Sequence, residues 1–268
     1  MRVGGFYRVP TEAQLRAFAP RLERARELAL ETVTWVAGFD FPDHQWLGEL
    51  AALRRADEYA ITDGRFVSTL GLDIGADEFE RHVVEEHVEH STALHARLVE
   101  RGMYLVGPIA RFSLNFDMLT PLARDAAIAA GLTPVERNPF RSIVVRAIEV
   151  LHACDEGLAI IDRYREPDRP AIDVQPRAGI GYGWTEAPRG TLWHRYELAD
   201  DGTILSAKIV PPTSQNQAGI EHDLFNFVDG NLDLADDELG RRSEQVIRSY
   251  DPCISCATHF LDLTVDRS

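Results

Sequence analysis

Residues 140–164 carry the pattern that most limits what this chain can fold into. Val144, Ala147, Leu151, Cys154, Leu158 and Ile161 recur at steps of three and four, the spacing that lines one face of a helix with apolar side chains. A helix from Phe140 to Tyr164 with that stripe needs a packed partner layer supplied by the rest of the chain. A second stripe, Leu22, Ala25, Ala29, Val33 and Val36, runs from Pro20 to Ala37, and Gly38 is its expected terminator. Ahead of it, Pro10-Thr11-Glu12-Ala13-Gln14 reads as a capping box that opens a helix within residues 8–19. Helices are also expected over Gln45–Ala56, over Thr120–Ala130, and over about 217–228 and 236–249. Thr191–Leu198 and Ile204–Val210 read as strands joined at Asp200-Asp201-Gly202-Thr203, and Tyr59–Thr62 and Arg65–Leu72 flank a second turn signal, Asp63-Gly64. Residues 104–116 alternate only weakly, and Glu166–Pro176 is the single linker-like stretch. The expected class is α+β, mostly helical, with long core helices and small antiparallel β elements in one domain over 1–268.

Composition narrows the function classes. A hydrophobic fraction of 45% over 268 residues supports a substantial core. The formal net charge of −15 repels nucleic acid and anionic lipid, so neither is expected as a partner. Arginine supplies nearly all the positive charge, Lys208 being the only lysine. Residues 1–7 lack the apolar stretch of a signal peptide, and no run approaches the roughly 18 apolar residues that span a bilayer. Three cysteines do not make a disulfide framework. The expected location is the cytoplasm.

Chemistry concentrates near the carboxyl end, in Asp251-Pro252-Cys253-Ile254-Ser255-Cys256-Ala257-Thr258-His259. Thiolates are soft ligands for zinc, nickel, copper(I) and iron, and a C-x-x-C pair lets one tight loop present two of them to a single ion. A structural zinc site needs four protein ligands, whereas Cys253, Cys256 and His259 supply three. Cys154, by contrast, sits within an apolar stripe and is expected to be a small core residue. Four histidines, His82, His87, His90 and His95, follow an acid-rich run at spacings that do not share one helical face, and are expected to serve surface, capping or packing roles. Glu149 and His152 form the chain's single E-x-x-H pair, where a di-iron bundle needs one from each of two helices. Gly179, Gly181 and Gly183 are not a dinucleotide fingerprint. They read equally as a flexible turn or as backbone passing close to a cofactor. Arg189 lies between Pro188 and Gly190, a setting that stiffens and clears space around one guanidinium suited to anion recognition or a dry site.

Together these strings resemble the large subunit of nickel–iron hydrogenases. The Cys253 motif is similar to that family's C-terminal D-P-C-x-x-C-x-x-H, residues 187–194 to its A-P-R-G-x-L-x-H segment, and Pro211-Pro212-Thr213-Ser214-Gln215-Asn216 to the short segment between them. The wording is closer to soluble bidirectional enzymes, and the resemblance covers nearly the whole chain. It implies reversible splitting of dihydrogen at a nickel–iron centre whose iron carries carbon monoxide and cyanide. Cys253 would be a terminal nickel ligand and Cys256 would bridge the metals. Arg189, with Pro188, would hang over the centre, Thr213 and Ser214 would contact a cyanide, and Asp251 would partner Arg189. His259 would lie near a bound magnesium ion and end the processed chain, with Phe260–Ser268 the tail that a maturation endopeptidase removes. Electrons would leave through an iron–sulfur small subunit and further electron-acceptor subunits, since this chain lacks cysteines for clusters.

One departure qualifies the resemblance. The family uses four cysteines, two of them from an N-terminal C-x-x-C, and no second C-x-x-C occurs here. The expectation is a fragment, a truncated product or a chain completed by a second polypeptide, inactive alone. The alternative is a non-catalytic hydrogenase-like relic or a zinc-stabilised interaction module.

Overall fold

The computed structural model describes residues 3–91 and 93–253. Its first long element, α1 (Glu12–Ala37), opens with the expected capping box: Thr11 Oγ1 accepts from the Gln14 N–H, and the Gln14 side chain accepts from the Thr11 N–H. The helix runs unbroken through Pro20 instead of starting afresh there. An interior proline costs about 3 kcal/mol. Burial of Ala29, Val33 and Val36 against Val144, Ile148 and Leu151 carries the helix across that cost.

The chain continues through β1 (Glu49–Arg54), β2 (Arg65–Ser68), β3 (Asp73–Ile74), the single turn α2 (Phe79–His82), β4 (Val83–Glu86), β5 (His95–Leu98) and β6 (Tyr104–Leu105). Then come α3 (Pro108–Asn115), α4 (Pro121–Ala129), α5 (Ser142–Arg163), β7 (Gly179–Ala187), β8 (Gly190–Leu198), β9 (Ile204–Val210), α6 (Pro212–Asp229) and α7 (Asp236–Ser249). Of the described residues 43% are helix and 20% strand in small sheets, so the class is the expected α+β.

Two local expectations fail. The segment 45–56 holds a strand, β1, and not a helix. An unbroken apolar run such as Leu50–Leu53 fits a buried strand as well as a buried helix. Here β1 lies inside a four-stranded sheet of order β3-β2-β1-β6, antiparallel to β2 and parallel to β6, with Glu49–Leu53 all buried. For the same reason β2 pairs with β1, with Ala52 opposite Val67, and not with Tyr59–Thr62. Gly64 has φ +147°, and a Cβ there would stand 2.8 Å from the Arg54 carbonyl oxygen, so glycine serves that close approach and not a hairpin turn.

Two smaller sheets complete the β structure: β4 with β5, and the antiparallel order β7-β8-β9. Gly179, Gly181 and Gly183 lie in the exposed part of β7, with nothing within 4 Å of where a Cβ would be. They do not form a turn.

Three apolar clusters hold the layers. One joins α1, α3, α4 and α5 through Phe112, Leu119, Val144 and Ile148. Another covers the sheets with Phe66, Phe79, Trp184 and Trp193. The third, centred on Trp46, packs β1 and β6 against Ile109 of α3, Ile220 of α6 and Tyr250 just after α7. Gly219 is small because Trp46 lies against it; a Cβ would meet the indole at 2.7 Å. That cluster sets where α6 begins and α7 ends. Among the described residues, no helix is long and apolar enough to cross a membrane.

Candidate metal-centre half-site

Three element ends converge beside the third cluster. The first is the β7–β8 hairpin. Ala187 pairs with Gly190, so Pro188 and Arg189 form its two-residue loop. Gly190 has φ +132°, and a Cβ there would stand 2.5 Å from Val106 Cγ2 and 2.8 Å from the Gly107 nitrogen. Gly107, with φ +110°, faces the Arg189 carbonyl just as closely. Two glycines therefore let the hairpin tip press on the turn before α3.

The second end is the start of α6. The strand-stopping segment 211–216 turns out to hold the first helical turn, beginning at Pro212, so Thr213 and Ser214 stand at a helix N-terminus. Proline suits that position because its missing N–H costs nothing there. Ser214 Oγ lies 3.2 Å from Glu85 Oε1 and 3.0 Å from the Pro211 carbonyl oxygen. Gln215 donates to the Thr191 carbonyl at 2.6 Å and accepts from Tyr104 OH at 3.1 Å. Asn216 accepts from the Val106 N–H at 2.8 Å and donates to the Val106 carbonyl at 3.2 Å. These buried amides tie α6 to β8 and to the β6–α3 turn. Both residues lie in the segment 211–216 that resembles the family, yet nothing local assigned them this clamping role.

The third end follows α7. Ser142 Oγ donates to the Ser249 carbonyl at 2.7 Å, fixing the end of α7 on the start of α5. Tyr250 OH donates to Asp223, whose carboxylate also pairs with His44 Nε2 at 2.7 Å. Burial first, and then the Asp223 charge, push the Tyr250 phenol far above its ordinary pKa, so it stays a donor. The hydrogen bond to Asp223 raises the His44 pKa.

From these ends the side chains meet. Arg189 Nε donates to the Asp251 carbonyl oxygen at 2.6 Å, and Nη2 lies 3.4 Å from Asp251 Oδ1. Arg146, on α5, donates to Asp251 Oδ2 at 3.0 Å. Asp251 adopts φ +48°, a left-handed conformation that Asp tolerates better than most residues. Thr213 Oγ1 accepts from the Cys253 N–H at 3.4 Å. The structure thus brings Arg189, Asp251, Thr213 and Cys253 to one place, with Pro188 in the hairpin loop and Ser214 one residue beyond Thr213. Pro188, Arg189, Arg146 and Asp251 line a cleft between α5, β6 and α7. Cys256 and His259 lie outside the described residues, as does the tail Phe260–Ser268. Arg146 was not foreseen, since nothing in an off-stripe arginine on a long helix points to a partner 105 positions away.

The other sequence candidates are occupied elsewhere. Cys154 is buried in α5, and burial raises its thiol pKa, which disfavours a thiolate ligand. Glu149 accepts from Arg111 Nε at 2.6 Å, from Arg111 Nη2 at 2.8 Å and from Tyr59 OH at 2.6 Å. Burial opposes the Arg111 charge, but Glu149 and Glu186 hold its pKa well above the ordinary value. His152 Nδ1 accepts the Thr120 N–H at 3.2 Å. Both members of the E-x-x-H pair are therefore committed to core contacts.

For a nickel–iron centre, the donor chemistry fits on one side only. The motif offers two thiolates in sequence, and of these Cys253 is held against Thr213 at the N-terminus of α6, two residues after the carbonyl that Arg189 binds. Four thiolates, the number the resemblance implies, are not present in this sequence.

The chain is similar to known proteins. Residues 143–259 match the family model described as nickel-dependent hydrogenase. Sulfhydrogenase 1 subunit alpha of Pyrococcus furiosus is 28% identical over 97% of this chain and 61% of its own length. The NAD-reducing hydrogenase HoxS subunit beta of Cupriavidus necator is 34% identical over 60% of this chain and 35% of its own length. The chain thus spans less than two thirds of either relative. Among solved structures, that of an NAD+-reducing [NiFe]-hydrogenase in the H2-reduced state shares the fold, with a TM-score of 0.80 at 24% identity, covering 96% of this chain and 62% of that one. Residues 143–259 thus match the nickel-dependent hydrogenase family, and nearly the whole chain is similar to a hydrogenase alpha subunit.

Proposed function

We propose that this chain, acting as one domain, is part of the catalytic subunit of a cytoplasmic nickel–iron hydrogenase that reversibly splits dihydrogen into protons and electrons. Cys253 and Cys256 would hold one side of the nickel–iron centre, with its carbon monoxide and cyanide ligands. The remaining two thiolates would come from residues outside this sequence. Electrons would pass to an iron–sulfur small subunit and from there to electron-acceptor subunits. His259 would lie near magnesium, and a maturation endopeptidase would remove the residues after it. The observation that carries this reading is the meeting of Arg189, Asp251, Thr213 and Cys253, contributed by three separate motifs.

When bound, the centre supplies the electron-rich metal that dihydrogen splitting requires. The chain's own residues have separable jobs. Arg189 is permanently charged, so it stabilises negative charge in the cleft without competing for the proton. Asp251 and the two-residue loop hold that guanidinium in place. The Cys253 thiolate is positioned as a proton acceptor at Sγ, its backbone N–H pinned by Thr213. Thr213 and Ser214, at the start of α6, offer hydroxyls and the positive end of a helix to anionic ligands. Pro188 restricts the loop next to them.

The test is assembly of the full chain with a polypeptide carrying the missing C-x-x-C and with the small subunit, followed by elemental analysis and dihydrogen-dependent dye reduction. Nickel and iron are expected in the wild-type assembly, and both are expected to fall to background in Cys256→Ser. Normal nickel in that variant would overturn the assignment. Zinc alone, or no metal, in the wild-type assembly would favour the non-catalytic module.

A further inference from the structure

A second group of metal-ligating side chains lies at the junction of β5, the β4–β5 loop and α6. His95, the first residue of β5, is 2% exposed. Its Nε2 lies 3.1 Å from Glu221 Oε1, yet it makes no hydrogen bond of acceptable geometry there, leaving a buried ring nitrogen without a bonded partner. His90, in the loop before β5, directs its Nε2 to the other oxygen of the same carboxylate, at 2.9 Å. The two imidazoles stand nearly perpendicular, with centroids 5.9 Å apart. One donor atom from each of the three residues lies within 4.8 Å of the others.

These dimensions suit an ion. Zinc–ligand bonds of about 2.0–2.1 Å in a tetrahedron place neighbouring ligand atoms roughly 3.3 Å apart. The contacts at 2.9 and 3.1 Å run to the two different oxygens of Glu221, so a turn of that carboxylate brings both imidazoles and one oxygen onto a shared ion. A buried polar atom left unsatisfied costs about 1–3 kcal/mol, and His95 Nε2 would regain a partner by ligation. The support around the carboxylate is also in place: Gln217, one turn earlier on α6, donates to Glu221 Oε1 at 3.0 Å.

We propose that His90, His95 and Glu221 bind one divalent transition ion of the zinc class, independently of the cysteine motif. Two imidazoles and one carboxylate favour zinc, cobalt or nickel over calcium or magnesium, and they leave at least one position for water. The sequence expectation treated these histidines as surface and packing residues, because the third ligand lies 126 positions beyond His95 and no local spacing announces it. An ion here ties the loop before β5 to the helix whose first turn carries Thr213 and Ser214.

The experiment uses the full chain with Cys253→Ser and Cys256→Ser, which silences the thiolates, titrated with Co2+ and Zn2+ by calorimetry and by cobalt visible absorption. About one ion per chain is expected, with histidine-coordinated cobalt bands. His95→Ala and Glu221→Gln should each weaken binding by about 100-fold or more, since loss of an outer-shell partner alone costs roughly 10–100-fold. His222→Ala removes a neighbouring histidine that bonds Asn226 instead, and should leave the affinity unchanged. Because a buried His95 variant could misfold, the exposed His90→Ala serves as a second readout: Zn2+ should raise the Tm of the parent but not of this variant. No stoichiometric binding, or equal weakening by His222→Ala, would overturn the proposal.

Discussion

At the scale of single residues, the candidate site depends as much on amides as on ligands. Asn216 satisfies both backbone groups of Val106 with one buried side chain. Asn216→Ala strands that N–H and C=O, and should cost about 2–3 kcal/mol in urea unfolding, each buried unsatisfied group being worth roughly 1–3 kcal/mol. An effect below the error of the midpoint would mean the clamp is not formed. The contrast with Thr213, Arg189 and Cys253 is instructive. Arg189 and Cys253 stood out because their types carry chemistry, and Thr213 through the resemblance of its segment; the structure brings them within reach of one another. Gln215 and Asn216 did not, because a clamp is defined by what it touches, and its partners, Thr191, Tyr104 and Val106, are far away in sequence.

At the scale of elements, periodicity served best where one face alone is buried. The stripe on α5 is real: Val144, Ala147, Leu151 and Cys154 are buried, while Leu158 and Ile161 are half-buried beyond the reach of the core. The strand 204–210 and the helix 236–249 were legible for the same reason, each having clear end signals. By contrast β1, covered on both faces, has no period to read. The α1–α5 pair is close enough that a Cβ on Gly157 would come within 2.8 Å of Leu22 Cδ2. Leu151 is fully buried in that layer, so Leu151→Ala should destabilise the chain by about 2–5 kcal/mol, measured as a lower urea midpoint with an unchanged slope. A cost under about 1 kcal/mol would place Leu151 outside a close-packed core.

At the scale of the molecule, one of the joints between distant segments responds to pH. His44, from the segment before β1, meets Asp223 of α6, which also holds Tyr250 after α7. The folded His44 pKa lies above its ordinary 6.5. The folded state therefore binds more protons than the unfolded chain between those two values, and stability falls as pH rises through that window. His44→Gln should flatten this part of the profile, with urea midpoints read from below pH 6.5 to mildly alkaline conditions. His152, whose pKa burial lowers, acts in the opposite sense, so the difference between the two proteins is the informative quantity. Parallel profiles would remove His44 from the account. Asp251 is another such joint, holding arginines from α5 and from the β7–β8 loop while its own backbone sits at φ +48°. A glycine there would relax the main chain and at the same stroke release both guanidiniums. Ruggedness and accuracy of placement thus pull in contrary directions at a single carboxylate, and a screen for thermal tolerance alone would favour discarding the residue that keeps the cleft in register.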